Sequence, residues 1–407
     1  MKIAGASSKL LQPKIGPQSS WFTLMIVLLA SVAAPLNQFK VPPVMPLLMK
    51  AFHQSPSQAG LLMSVFALTG LILAIPTGLM IRKLGYRAAG FAAIFALILG
   101  AGVGALSKSM EAMLVSRFIE GAGLSFMSVV APTMIALWFS AEKRGKAMGI
   151  WAVWVPLGST IMFTLAPFLA GHWGWQGVWW FGFFYALAVG LLFYLFVKSN
   201  PESSSGAGRP SPVKYPWKED LNSVLRHRDL WLISTVFYCF NFVYIAFITW
   251  APTFLVQIRH SSMARSDLLV SLTSILAIAA GPTAGWISDK IHSRKAICAA
   301  PLIFLAFLFP LIFRANENLF LGLAVAIGFF AGFIPTGVFS AGVEVVGDER
   351  LAGMAMAIVQ IGQNLGILAG PLIFGWMVEG WGWQTAFWIL IPVSISGAIS
   401  GWLAKMR

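Results

Sequence analysis

Charge is scarce in this chain: Asp, Glu, Lys and Arg make up 10% of its 407 residues, against roughly 25% in an ordinary soluble domain. Acidic side chains are the scarcest, 14 against 28 Lys and Arg, and there are only 2 cysteines and 5 histidines. Cys239 and Cys298 both fall inside apolar runs, so neither a disulfide framework nor a thiolate metal site is expected. His53, His172, His227, His260 and His292 lie in or beside expected loops without a paired motif, which leaves no nucleophile with its base and no metal ligand set. A Gly-rich nucleotide loop of the Walker type is also missing. The absences argue against an enzyme, a nucleotide-driven pump and any cofactor.

What is abundant is apolar surface, with 58% of residues hydrophobic. Runs of about 18 or more such residues recur from Trp21 almost to the C-terminus, each long enough to cross a hydrocarbon core of about 30 Å as a helix. Tiling them predicts about 12 spans, at roughly 21–48, 57–81, 88–107, 111–138, 146–171, 175–197, 229–257, 267–288, 295–313, 318–345, 353–378 and 383–404. The expected class is an all-α polytopic membrane protein whose main partner is the lipid bilayer.

The basic excess could suggest a nucleic-acid partner, but its positions exclude that reading. With the N-terminus inside the cell, about 21 basic residues fall on the cytoplasmic side and about 5 outside, as the positive-inside rule requires. Both termini are therefore expected in the cytoplasm and the protein in the cell (inner) membrane. Residues 1–20, with Lys2, Lys9 and Lys14, read as a cytoplasmic tail before an uncleaved first span.

The chain repeats itself at an offset of about 207 residues. "GLMIRKLGYR" from Gly78 returns as "GWISDKIHSRK" from Gly285, "GKAMG" from Gly145 as "GMAMA" from Gly353, and "WGWQGVWW" from Trp173 as "WGWQTAFW" from Trp381. Two pseudo-symmetric six-helix bundles are predicted, 21–198 and 229–407. Between them, 199–228 begins as a Ser-, Pro- and Gly-rich linker and ends in a short amphipathic helix with Trp217, suited to the cytoplasmic membrane surface. A site between two such bundles can open to either side by rocking one against the other.

Over essentially its whole length the chain resembles the major facilitator superfamily. The family's loop signature Gly-x-x-x-Asp-Arg/Lys-x-Gly-x-Arg/Lys is matched by Gly78, Lys83, Gly85 and Arg87, and its second copy by Gly285, Asp289, Lys290 and Arg294. "RFIEGAG" is similar to the family's helix-4 pattern at Arg117, Gly121 and Gly123. Two departures stand out: Arg82 replaces the usual Asp in the first copy, and His292 replaces a Gly in the second. The resemblance implies a transporter whose loop residues gate, with the latch resting mainly on the second copy.

Few ionisable residues fall within the expected spans: Lys40, Arg117, Glu120 and, near a span end, Glu344. A central Lys or Arg costs about 2.5–3.5 kcal/mol on insertion scales, so each needs a role or a partner. Phe247 stands at the repeat counterpart of Lys40, so that cation is a specialisation of one half. Either Lys40 snorkels to the surface, or, with Asn37 one turn away on the same face and Pro42, Pro43 and Pro46 loosening the helix, it lines a cavity and binds an anion. Its position is similar to that of the helix-1 basic residue of organic-anion members, the anion:cation symporters, which implies a small anionic substrate. In those relatives the preceding residue is often acidic and takes part in proton coupling; here it is Phe39.

Arg117 and Glu120 share a helix face and can pair, either as a structural pair or with Glu120 exchanging a proton. Glu344 reads as solvated or loop-paired. Tyr238, Asn241 and Tyr244, then Gln360, Gln363 and Asn364, and Trp154 beside Trp151 complete the expected polar and aromatic wall. The sequence thus predicts a secondary transporter of a mono- or dicarboxylate that functions as a monomer. Symport with protons, anion exchange and facilitated diffusion stay open as modes. A small inorganic anion such as cyanate or nitrate is the alternative, since nitrate porters use cationic sites, although helices 2 and 8 carry no internal Arg. Drug efflux is a further rival, although "VPLGSTIMFTLAP" at 155–167 departs from the Gly-Pro-x-x-Gly-Gly element of drug antiporters.

Overall fold

Pro42 and Pro43 have no backbone N–H, so the carbonyls of Gln38 and Phe39 lose the donors that would continue the first helix. In the computed structural model, which describes residues 17–197, 222–347 and 351–406, the chain breaks there. α1 (Pro17–Gln38) stops, Phe39 and Lys40 form a turn, and α2 (Val41–Phe52) starts with proline in its first turn, where a missing N–H does no harm. The N-terminal tail before residue 17 and the linker up to residue 221, with Trp217, lie outside the described residues.

Serine and asparagine caps set several later starts. Ser55 and Gln58 form a reciprocal capping box at α3 (Pro56–Ala105), and Ser109 caps α4 (Met110–Trp138). α5 (Ala141–Trp151) and α6 (Trp154–Phe196) end the first half. α7 (Arg228–Gln257) opens the second, followed by α8 (Met263–Ile291), α9 (Arg294–Ile312) and α10 (Glu317–Glu344), capped by Ser262, Ser293 and Asn316. α11 (Ala352–Ala386) continues through a 3-10 turn at Phe387–Ile389 into α12 (Leu390–Leu403).

Ten stretches are long and apolar enough to cross a membrane, two of them 54 and 50 residues long, more than twice the ~20 that one crossing needs. Each contains a glycine that reverses the chain. Gly174 (φ 64°, ψ −176°) divides α6, Gly382 (φ 76°, ψ 168°) divides α11, and Gly85 (φ 83°, ψ 163°) divides α3. The limbs then lie side by side: Gly158 and Gly182, on either side of the α6 break, both abut residues 35–37 of α1. Likewise Gly366 of α11 and Gly397 of α12 both abut α7, at Tyr238–Asn241 and at Cys239. Among the described residues, the Gly85 break already separates two of the ten stretches, and the reversals at Gly174 and Gly382 turn each of the two long ones into two passes.

The repeat is legible in the backbone itself. Gly174 and Gly382 occupy the same place in the two Trp-Gly-Trp-Gln copies, and His53 (φ 53°) and His260 (φ 55°) hold the same left-handed conformation one repeat apart. The φ and ψ of Gly174 and Gly382 lie in a region open essentially to glycine alone, so Gly174→Ala or Gly382→Ala should destabilise the protein by about 1–3 kcal/mol, read as a lowered melting temperature.

The glycines of "RFIEGAG" serve close approach. A side chain at Gly121 would strike the Phe66 carbonyl and one at Gly123 the Leu97 side chain, so α4 is wedged between both limbs of α3. The two halves meet along α3 and α11. At the end of the bundle that carries His53, Ser57 N–H donates to Glu379 (3.2 Å) and Ser64 Oγ to the Leu368 carbonyl (2.6 Å). A Cβ at Gly60 would lie 2.8 Å from the Pro371 carbonyl, so the α3 and α11 backbones touch and close on each other at this end.

Candidate functional site

The helix break places Lys40 at the end of α1, and α4 brings Arg117 and Glu120 to the same point. All three are 0% exposed. The Lys40 ammonium pairs with Glu120 Oε1 and donates to Asn37 Oδ1 (2.8 Å), while Arg117 Nη1 donates to Glu120 Oε2 at 2.5 Å. The Asn37 amide is oriented by its own donation to the Ala33 carbonyl (2.8 Å), which turns its oxygen to Lys40. Snorkelling is ruled out by this burial: the ammonium points into the first bundle, not to its surface.

Arg117 has a second task. It donates to the Leu62 carbonyl (2.9 Å) and to the carbonyls of Asn37 (2.6 Å) and Gln38 (3.1 Å). The Gln38 oxygen is one of those deprived of a donor by Pro42, so the guanidinium fills the vacancy that the proline leaves in α1. Five forked donors suit a broken helix end better than one ammonium would. The pair expected from the sequence is therefore a triad, with two cations sharing one carboxylate.

Sequence reasoning did not find the aromatic floor. The Lys40 ammonium lies 4.6 Å from the Trp179 ring centroid and the Arg117 guanidinium 4.4 Å from that of Phe66, each worth about 0.5–2 kcal/mol. Trp179 belongs to the limb of α6 after Gly174, where apolar residues surround the helix and no periodicity marks the inward face. Gly100 makes room for the carboxylate: a Cβ there would come 2.9 Å from the Glu120 nitrogen and 3.0 Å from the Ser116 carbonyl. Gly100→Val should cost about 1–3 kcal/mol by overpacking, measured by thermal unfolding.

The other expected wall residues do not join this cluster. Asn364 and Ser125 both flank Gly70, where a Cβ would lie 3.1 Å from the Asn364 oxygen and 3.5 Å from the Ser125 hydroxyl; Ser125 is five residues along α4 from Glu120, or about 7.5 Å at the helical rise. Asn241 donates to the Phe237 carbonyl of its own helix (2.8 Å), Tyr238 packs on Phe242, and Tyr244 stacks on Phe240 and meets the Thr273 and Ser274 hydroxyls. Trp154 is buried and stacks on Trp151, whose indole N–H donates to Ser31 (3.0 Å). Gln360 and Gln363 are half-buried on α11. Of the wall residues expected from the sequence, only Asn37 joins the charged cluster; the others stand apart from it. The sequence also passed over Asp267, because the predicted span began at that residue whereas α8 begins four residues earlier.

At the opposite end from His53, the loop copies differ. Arg294 pairs with Glu344 (3.2 Å) and donates to Ser288 (2.7 Å) beside a cavity of about 710 Å³. Arg87 donates to the Tyr194 carbonyl (3.2 Å), and Lys290 lies over the Trp286 ring. Gly85 supplies the break in α3, and a Cβ at Gly285 would meet open space. Gly78 lies in α3, but its surroundings, like the side chains of Lys83 and Asp289, are outside the described residues. Because Arg294 and Glu344 are partly exposed, Glu344→Gln should cost no more than ~1 kcal/mol in thermal unfolding.

Comparison with known proteins gives this geometry a family. The sequence profile of the Major Facilitator Superfamily matches residues 27–266 and 255–407. The hexuronate transporter of Bacillus subtilis (strain 168) is 22% identical over 375 residues, 88% of this chain and 87% of its own. The probable nitrate transporter NarT of Staphylococcus epidermidis is 26% identical over 353 residues, 86% of this chain and 87% of its own. A bacterial homologue of the human lysosomal transporter Spinster, solved in an inward-facing and occupied conformation, superposes with a TM-score of 0.80 at 15% identity, covering 95% of this chain and 96% of that one.

Proposed function

The chain belongs to the Major Facilitator Superfamily, and from that membership we propose that it carries a small organic anion, a mono- or dicarboxylate, across the cytoplasmic membrane by alternating access. The family is one of transporters, not enzymes. The observation that carries the substrate class is the charge count at the α1–α2 break, where Lys40 and Arg117 are buried around the one carboxylate of Glu120. One positive charge is left over. Uncompensated, a buried ion costs several kcal/mol, so the site favours the arrival of an anion.

The two cations divide the work. Arg117 is committed to three backbone carbonyls and holds the helix break. Lys40, held by Glu120 and the Asn37 amide, is the cation able to change partners. When a substrate carboxylate takes its ammonium, Glu120 keeps Arg117 as its cation, so the arriving anion replaces Glu120 as the partner of Lys40 while the helix break stays held. Asn364 of α11, beside Gly70 of α3, lies where the two halves meet.

The positive-inside rule assigns the His53 end to the outside and both termini, with the Arg87 and Arg294 loops, to the cytoplasm. The closed His53 end then corresponds to an inward-facing state, the conformation in which the Spinster homologue was solved. Residues 21–198 and 229–407 act as the two rocking bundles, joined by 199–228, and one chain contains both, so a monomer suffices.

Counterflow tests the reading. Proteoliposomes preloaded with unlabelled hexuronate or another carboxylate should accumulate the labelled form; if no carboxylate exchanges while nitrate or cyanate does, the site takes a small inorganic anion instead. That second reading is favoured by the tight enclosure of Lys40 and by the likeness to the probable nitrate transporter. A surplus of positive charge repels cationic drugs, so the site gives efflux of such compounds no support.

A further inference from the structure

Asp267, the fifth residue of α8, lies at the His53 end of the bundle. It is 0% exposed, and among the described residues neither carboxylate oxygen has a hydrogen-bond partner. Among the described residues no ion pair reaches it. Glu120 is just as buried but sits between two cations. An ionised carboxylate without a partner loses its hydration for nothing in return, a cost of several kcal/mol that a bound proton removes.

The placement gives that proton a route. Asp267, Ser271, Ser274, Ile278, Gly281 and Gly285 recur at spacings of four and three, so they form one stripe along α8. On α10, Gly328 packs on Thr273 and Gly332 on Ala277 and Ala280, beside the stripe, and Thr336 comes near Gly281 on it. On α7, Tyr244 reaches Ser274 on the stripe and Thr273 next to it, and α6 of the first half also packs on α8. Burial falls along it: Asp267, Ser271 and Ser274 are buried, whereas Ile278, Gly281 and Gly285 are half-exposed. The stripe therefore leads from the buried carboxylate to half-exposed residues further along α8.

Charged and titratable groups on the surrounding elements are few. On α7 the nearest is Tyr244, two turns away at Ser274, and in the loop beyond it Arg259 donates to the Phe313 carbonyl and His260 is exposed. On α6 His172 is exposed and bonded to the Phe168 carbonyl, and on α8 Arg265 is exposed. On α9 Arg294 and Lys295 stand at the far end, and Arg314 just beyond the helix lies over Trp388. Glu317 opens α10 with a side chain outside the described residues.

The geometry points to Asp267 as a proton-carrying site, in the half that lacks the Lys40 triad. With the His53 end sealed, Asp267 is a neutral carboxylic acid. When the halves part at that end, water reaches the carboxyl, the O–H bond breaks, the proton passes to that water and the carboxylate is hydrated; resealing requires a proton taken back from the same outside water, so acidity outside speeds resealing. The inference rests on the alternating-access reading for its motion but not on which anion is carried.

Infrared difference spectroscopy on the purified full-length protein tests it without substrate. At neutral pH the wild type should show a protonated-carboxyl C=O band, shifted in heavy water, that Asp267→Asn loses and Asp229→Asn keeps. Asp229 is the control because its half-buried carboxylate accepts the Lys405 N–H. Identical bands in wild type and Asp267→Asn would overturn the proposal, and Asp267→Ser replaces the amide variant if that fails to fold. In proteoliposomes, Asp267→Asn should lose the acceleration of anion uptake by an inward proton gradient while retaining exchange at equal pH. A full gradient response in that variant overturns the role in coupling. Absence of any anion transport by the wild type sinks the transport reading instead, and leaves the infrared result to decide on Asp267.

Discussion

Lys40→Gln should abolish stabilisation by carboxylates and leave the protein folded. The variant keeps Glu120 paired with Arg117 at 2.5 Å and removes the surplus buried charge, so the melting temperature without ligand should stay at or above that of the wild type. A ligand that binds the folded state raises its melting temperature as occupancy rises. Losing one member of a buried charge pair weakens binding by about 2–5 kcal/mol, which is ~30-fold or more in Kd. The measurement is thermal unfolding of purified protein across a panel of carboxylates, nitrate, cyanate and cationic drugs. An unchanged carboxylate response in the variant would show that anions bind elsewhere, and the polar residues around Asn364 would become the site to test.

Glu120→Gln has the opposite signature. It leaves two buried cations around a neutral amide, and breaking a buried ion pair by removing one partner costs about 3–5 kcal/mol. The unfolding temperature without ligand should fall further than for any other single substitution in the triad's side chains except at Arg117, which also holds the helix break. Adding Lys40→Gln to Glu120→Gln removes one of the two stranded cations and should recover part of that loss, so the pair gives a coupling energy within the range of about 0.5–3 kcal/mol expected of contacting residues. Strict additivity of the two single effects would mean that Lys40 and Glu120 act independently, and exchange of Lys40 between Glu120 and substrate would have no basis. Residual anions should stabilise Glu120→Gln strongly, since they supply the missing negative charge.

Much of the architecture could be read before any coordinates. The two Trp-Gly-Trp-Gln copies fall between expected spans, where their glycines adopt dihedrals closed to other residues, whereas Pro42 and Pro43 lie inside the span expected over 21–48, which the structure divides at Phe39 and Lys40. The loop signatures and the helix-4 glycines carry the family. Lys40, Arg117 and Glu120 announced themselves because charge inside an apolar run is expensive whatever surrounds it.

Facing was harder. A helix enclosed by protein and lipid on all sides has no polar face to set its rotation, so Trp179 and Phe66 could not be told from their aromatic neighbours. Asn364 and Asn241 could not be separated from the charged cluster for the same reason. Asp267 was missed for a different cause: hydropathy ends a span at its first charged residue, whereas the helix begins at its cap, Ser262, and carries the carboxylate inside.

Local chemistry along the chain, then, determined the membrane-spanning class, the twofold repeat, the helix ends and the existence of three costly buried charges, because each follows from neighbours in sequence. The tertiary structure alone decided that Arg117 mends the helix that Pro42 breaks, that two cations share Glu120 over the Trp179 ring, and that Asp267 stands, among the described residues, without a partner. Those are distances between residues far apart in the chain, 80 positions for Lys40 and Glu120 and more for Lys40 and Trp179, and hydrogen bonding and charge pairing depend on distance in space.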